Sequence, residues 1–224
     1  MTTTAQSVTI AIEGAEPVSG LWQAPAGAKA CLVLAHGAGA GMTHKAMAAT
    51  ADGLAGRGVA VLRYQFPYME KGSKRPDSPA VAHAAVRAAV AEADRLSAGL
   101  PLFAGGRSFG GRMTSQAQAQ SPLPGVRGLV FFAFPLHPAG KPGTDRADHL
   151  ADVAVPMLFL QGTNDALAGL DLLRPVVGGL GERAGLVLAE GADHSFHVPA
   201  KSGRKDADVL AELLDAAAAW MTRT

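Results

Sequence analysis

The chain has 224 residues, 48% of them hydrophobic, enough for one sizeable core, and a single domain over residues 1–224 is expected. The 20 lysines and arginines stand against 19 acids, so a net charge of +1 gives no global attraction to nucleic acid or to an anionic membrane surface. Cys31 is the only cysteine, which rules out an internal disulfide. The N-terminal "MTTTAQSVTI" lacks a basic region followed by an apolar one, and no apolar run nears the roughly 18 residues a bilayer span needs. A cytoplasmic protein in a reducing compartment is therefore expected.

Eight short runs have strand character: "SVTIAI" (7–12), "VSGLWQ" (18–23), "ACLVLA" (30–35), "VAVLRY" (59–64), "PLFAG" (101–105), "GLVFFAF" (128–134), "MLFLQ" (157–161) and "GLVLAE" (185–190). Pro17 and the short gap between the first two predict an antiparallel hairpin at a sheet edge. The other six are near-continuous apolar runs, the pattern of parallel strands buried on both faces. Helical stretches fall between them at 43–57, 79–98, 109–120, 170–180 and 206–221. Alternation of this kind predicts right-handed crossovers and a doubly wound, mostly parallel sheet with helices on both faces. The connections "QFPYMEKGSKRPDSP" and "PLHPAGKPGTDRADHL" are long for such a fold and follow the carboxyl ends of predicted strands, so they are expected to wall a ligand crevice.

Ser108 lies in "GGRSFGG", between a predicted strand and a predicted helix. The G-x-S-x-G pattern in that setting predicts a sharp turn that presents the hydroxyl, with glycines where a β-carbon would collide. A glycine-rich turn with a capping serine is the plain alternative. A serine nucleophile needs a base, and the base an orienting acid. Asp165 follows the seventh run in "QGTNDALAG", and His194 follows the eighth in "GADHSFHVPAK". The order Ser108, Asp165, His194 is that of a strand-turn-helix hydrolase and not that of chymotrypsin or subtilisin. Oxyanion donors are expected from the backbone of Phe109 and, in "HGAGAG" after the third run, of Ala38, with Gly37 or Gly39 as alternatives. That loop fails as a dinucleotide fingerprint because Met42 stands where a third glycine is needed.

On these residues the chain resembles an α/β-hydrolase, and most the small uncapped proteins near dienelactone hydrolase. The likeness runs from the first hairpin to the last helix. It implies an α/β-hydrolase fold with an eight-stranded sheet, no separate cap domain, a Ser108-His194-Asp165 triad and no cofactor. Dienelactone hydrolases proper carry cysteine at the nucleophile turn, so lactone specificity does not transfer to Ser108. "HGAGAGMTHKAM" and "RYQFPYMEKGSKRPD" also look similar to a subgroup that includes a eukaryotic chromatin-complex subunit.

The expected activity is cleavage of a small ester, thioester or lactone through an acyl-enzyme on Ser108. The alternatives are a non-catalytic interaction module on the same scaffold, or a peptidase or acyltransferase using the same residues. His36 is expected to brace the oxyanion loop, and His44, His83, His137 and His149 to be surface or packing residues. Asp193, His194 and His197 lack metal-site spacing, so no metal is expected. The partner is a small-molecule acyl substrate, with the oligomeric state left open. Lys71, Lys74, Arg75, Lys141, Arg146, Lys201, Arg204 and Lys205 lie in loops expected around the crevice. They are either solvated surface charges or a field favouring acyl groups that bear a carboxylate or phosphate.

Overall fold

The computed structural model describes residues 3–223, so the first two residues of the N-terminal stretch discussed above lie outside it. Eight strands form one sheet in the order β1-β2-β4-β3-β5-β6-β7-β8: β1 Gln6–Ile10, β2 Val18–Gln23, β3 Ala30–Ala35, β4 Val59–Tyr64, β5 Leu102–Arg107, β6 Val126–Phe132, β7 Met157–Gly162 and β8 Ala184–Ala189. The β1–β2 hairpin is antiparallel and joins β4 antiparallel, and every other pairing is parallel.

Side-chain alternation along the strands splits the core in two. On β3, Ala30, Leu32 and Leu34 face one layer with Phe103, Val130 and Leu160. Helices α1 (Lys45–Ala55) and α6 (Asp206–Arg223) cover it through Met47, Leu54, Val209 and Leu213. Cys31, Val33 and Ala35 face the other layer with Phe131 and Phe159. There α3 (Pro79–Ser97), α4 (Phe109–Gln120) and α5 (Leu170–Gly179) contribute Val86, Met113 and Leu173. Burial pushes the Cys31 thiol up to about 12, as expected of a core residue with no reactive role.

Two departures from the sequence expectation have local causes. β6 starts at Val126, two residues before the predicted run, and includes the exposed Arg127; it ends at Phe132 because Ala133 turns to φ 58°. β8 is only half-buried along most of its length, since it ends the sheet and has a neighbour on one side alone. Both long connections carry a short helical element. The first contains the short α2 (Pro67–Glu70), and the second a 3₁₀ segment at Asp145–Asp152. No helix among the described residues is long and apolar enough to cross a membrane.

Candidate active site

β5 runs straight into α4 with no loop between them, and Ser108 is the hinge, at φ 48° and ψ −115°. A non-glycine residue is strained there, and the close seating of α4 on β3 holds it in place. A β-carbon at Gly106 would lie 2.5 Å from the Ala35 carbonyl oxygen, and one at Gly110 would lie 2.6 Å from both the Ala35 and His36 oxygens. Gly105 and Gly111 are likewise closed off by the Val130 and Gly106 carbonyls. The four glycines therefore let three backbone segments meet beneath one hydroxyl.

Ser108 Oγ lies 2.8 Å from His194 Nε2, and His194 Nδ1 lies 2.7 Å from Asp165 Oδ2. The buried Asp165 carboxylate fixes the imidazole proton on Nδ1 and leaves the Nε2 lone pair facing the serine. Asp165 is itself fully occupied. Oδ1 accepts from the Leu167 N–H at 2.8 Å, and Oδ2 also accepts from Gln161 Nε2. The other end of Gln161 accepts from the Phe134 N–H at 2.9 Å, so this buried amide ties the end of β7 to the turn after β6.

The His194 loop is shaped by Asp193, whose Oδ1 accepts from the Ser195 and His197 N–H groups at 2.7 and 3.0 Å. Arg107, the residue before the serine, donates through Nη2 to the His194 carbonyl at 3.1 Å, and its guanidinium lies 5.2 Å from the Phe196 ring centre. His197 bonds neither Ser108 nor Asp165 and forms an exposed pair with Asp206 at 2.9 Å on the wall of the same cleft. The structure thus brings together Ser108, Asp165 and His194 and leaves His197 out. Among the described residues no group of three or more His, Cys, Asp or Glu could hold a metal ion.

The loop carrying Ala38 is fastened from beneath by "RYQFPY" at the end of β4. Buried His36 donates from Nδ1 to the Gly37 carbonyl at 2.8 Å and accepts at Nε2 from the Phe66 N–H at 3.0 Å. Burial lowers its pKa, which keeps the ring neutral and able to accept. Tyr68 donates its hydroxyl to the Ala38 carbonyl at 2.8 Å, Gln65 Oε1 accepts from the Met42 N–H at 2.8 Å, and Arg63 Nη1 donates to the Met42 carbonyl at 3.1 Å. His36 is a brace as expected. The anchoring by Arg63, Gln65 and Tyr68 was not read from the sequence, although polar side chains at and just beyond the end of a buried strand were its visible sign.

The remaining histidines make local contacts and do not bond the serine, although His44 borders the same cleft. His44 caps α1 by accepting from the Ala46 N–H, His83 sits between Gln116 and Gln120, and His137 bonds the Pro138 carbonyl. His149 does have a specific partner, Ser115 Oγ, at 2.7 Å.

Ser108 sits at the junction of two lobes of an open cleft. One, of about 570 Å³, is lined by Gly37, His44, Met47, Arg107 and His194. The other, of about 380 Å³, is lined by Asp77, Phe109, Arg112, Met113, Pro135 and Arg146. Ala38 borders both. Both long connections reach the second lobe, as the sequence implied. The loop cations do not follow suit: only Arg146 of those singled out lines the cleft, while Lys71 borders a separate apolar groove beside the β1–β2 turn and Arg204 pairs with Glu212. Arg112, one helical turn beyond Ser108, takes their place.

The whole-chain shape is similar to that of known proteins. A dienelactone hydrolase from Anabaena variabilis superposes with a TM-score of 0.78 at 19% identity over 100% of this chain and 99% of that one. A lidless α/β serine hydrolase from Xanthomonas campestris gives 0.76 at 21% identity, covering 98% and 96%. An esterase domain from Rhodothermus marinus gives 0.74 at 18% identity, covering 98% of each. The family model described as "Alpha/beta hydrolase domain" matches residues 28–222, nearly the whole described chain, and the chain belongs to that family.

Proposed function

We propose that the protein is a serine hydrolase that cleaves a small ester or thioester through an acyl-enzyme on Ser108. The observation that carries this reading is the unbroken chain from Ser108 Oγ through His194 to Asp165, at 2.8 and 2.7 Å, with the serine held at a strained turn. His194 Nε2 takes the hydroxyl proton as Oγ attacks the carbonyl carbon. The developing oxyanion is received by the backbone N–H groups of Ala38 and Phe109, which border the cleft beside Ser108. Phe109 is the first residue of α4, so its N–H has no intrahelical acceptor and is free for this task.

Collapse of the tetrahedral species expels the alcohol or thiol, which takes its proton from His194. The departing group therefore belongs in the lobe that His194 lines, and the acyl chain in the lobe beside Phe109. Water then enters, gives its proton to His194 and attacks the acyl carbon. Ser108 is released with the carboxylic acid.

A panel of 4-nitrophenyl esters and acyl thioesters tests this reading. The expected result is a pre-steady-state burst equal to the enzyme concentration on at least one substrate, abolished in Ser108→Ala with the fold retained. Equal slow turnover by wild type and Ser108→Ala would contradict it and favour a scaffold used for protein interaction.

A further inference from the structure

The lobe assigned to the acyl chain carries two arginines that the chemistry above does not use. Arg112 comes from α4 and Arg146 from the 3₁₀ segment at Asp145–Asp152, and both line the lobe with Ser108. The Arg112 guanidinium stands 5.8 Å from the ring centre of Phe109, which lines the same lobe. Its Nε is buried with no hydrogen-bond partner among the described residues. Burial and the charge of Arg146 both lower the Arg112 pKa, as expected of a cation that faces another cation instead of an acid.

The nearby acids do not answer these charges. The ion pairs among the described residues use Arg57, Arg95, His194, His197 and Arg204, and neither Arg112 nor Arg146 belongs to one. Asp77, the carboxylate lining the same lobe, is engaged by the Tyr68 N–H at 2.9 Å. The backbone segments that bear the two arginines are also fastened to each other. Ser115 Oγ donates to the Arg112 carbonyl at 2.9 Å and meets His149 Nε2 at 2.7 Å, which fastens α4 to the segment that bears Arg146. Burial, then the charges of Arg112 and His83, push the His149 pKa down to about 4, so near neutral pH this clamp adds no charge of its own.

We propose that Arg112 and Arg146 form a carboxylate-binding subsite on the acyl side of the cleft, making the preferred substrates half-esters or half-thioesters of short dicarboxylic acids. The assignment rests on the acyl-transfer reading of Ser108. Guanidinium forks match a planar carboxylate, and neither arginine has a carboxylate partner of its own among the described residues. A lobe of about 380 Å³ accommodates a short chain between the acyl carbon and its terminal carboxylate.

The test compares 4-nitrophenyl hemisuccinate with its methyl ester, equal in chain but without the charge, in wild type, Arg146→Gln, Arg112→Gln and Arg112→Lys. The quantity read is the ratio of kcat/KM for the charged over the neutral ester. It should fall about 10- to 100-fold in each glutamine variant and less in Arg112→Lys, which keeps the charge but loses the fork. A second arm measures calorimetric binding of monomethyl glutarate and dimethyl glutarate to Ser108→Ala, with and without Arg146→Gln. The monoester should bind at least tenfold tighter, and Arg146→Gln should remove that preference. A ratio unchanged within threefold in folded glutamine variants, or equal binding of the two glutarates, overturns the subsite. Preferential monoester binding without turnover of any ester would sustain the subsite and overturn the acyl-transfer reading, so the two failures are distinct.

Discussion

Substituting alanine for Gly110 isolates the feature on which the serine turn depends. The new β-carbon would stand 2.6 Å from the carbonyl oxygens of Ala35 and His36, against about 3.4 Å for ordinary contact, and neither backbone oxygen can swing aside. The first turn of α4 must then retreat from β3 by about 0.8 Å. That turn carries Ser108 and the Phe109 N–H, while the end of β3 leads into the Ala38 loop, so the retreat separates the two proposed oxyanion donors. Overpacking of this kind costs about 1–3 kcal/mol, and at roughly 2–4 °C per kcal/mol for a chain of this size the Tm should fall by about 2–12 °C. A misplacement approaching 1 Å should lower kcat/KM on the best ester by about 100-fold. Gly178→Ala in α5 is the matched control, because nothing lies within 4 Å of its β-carbon position. It should stabilise by about 0.5–1 kcal/mol and leave activity alone. Calorimetry and ester hydrolysis on both variants decide the matter. A Gly110→Ala protein with Tm within 1 °C and kcat/KM within twofold of wild type would refute the close-approach argument.

His194→Ala should lower kcat by roughly 10⁴-fold or more on the best ester, while His197→Ala, which loses only an exposed pair with Asp206, should stay within about threefold; the reverse ranking would move the base to His197. Tyr68→Phe removes the hydroxyl that holds the Ala38 carbonyl, and kcat should drop about 3- to 10-fold with little change in KM, measured by steady-state kinetics. His36 and His149 both have folded pKa values below the unfolded 6.5, so the unfolded chain binds more protons below that pH. Their contribution to stability is complete above about pH 6.5 and is lost as pH falls toward the folded values, for His149 about 4. Urea titrations of wild type and His149→Gln between pH 7.5 and 4.5 should show a shallower acid loss in the variant, and parallel curves would contradict the assignment.

The parts of this protein that repetition and sterics dictate were legible. β3 and β4 match their apolar runs residue for residue, because a strand buried on both faces reads as a continuous apolar run, broken in β4 only by Arg63 near its end. Ser108, Asp165 and His194 could be placed because each follows a strand whose end the apolar pattern marks. What stayed hidden depends on side chains converging from distant segments. Gln161 reads as the tail of a strand, and only the fold shows its amide joining Asp165 to the Phe134 N–H. Arg112 reads as one more polar residue on α4, yet four positions beyond Ser108 is one helical turn, and that spacing could have marked it as a cleft residue. The loop lysines misled for the opposite reason: sequence shows which loops border a crevice, whereas a flexible cation's direction is set by packing and solvent.

The central claim is that Ser108 is the activated nucleophile, and labelling with a fluorophosphonate followed by intact-mass analysis and peptide mapping tests it most directly. The account predicts one adduct per chain, on Ser108, forming rapidly in wild type, at least a thousandfold more slowly in His194→Ala, and not at all in Ser108→Ala. Folded wild-type protein that takes up no label, or takes it up at another serine at the same rate in His194→Ala, would contradict it.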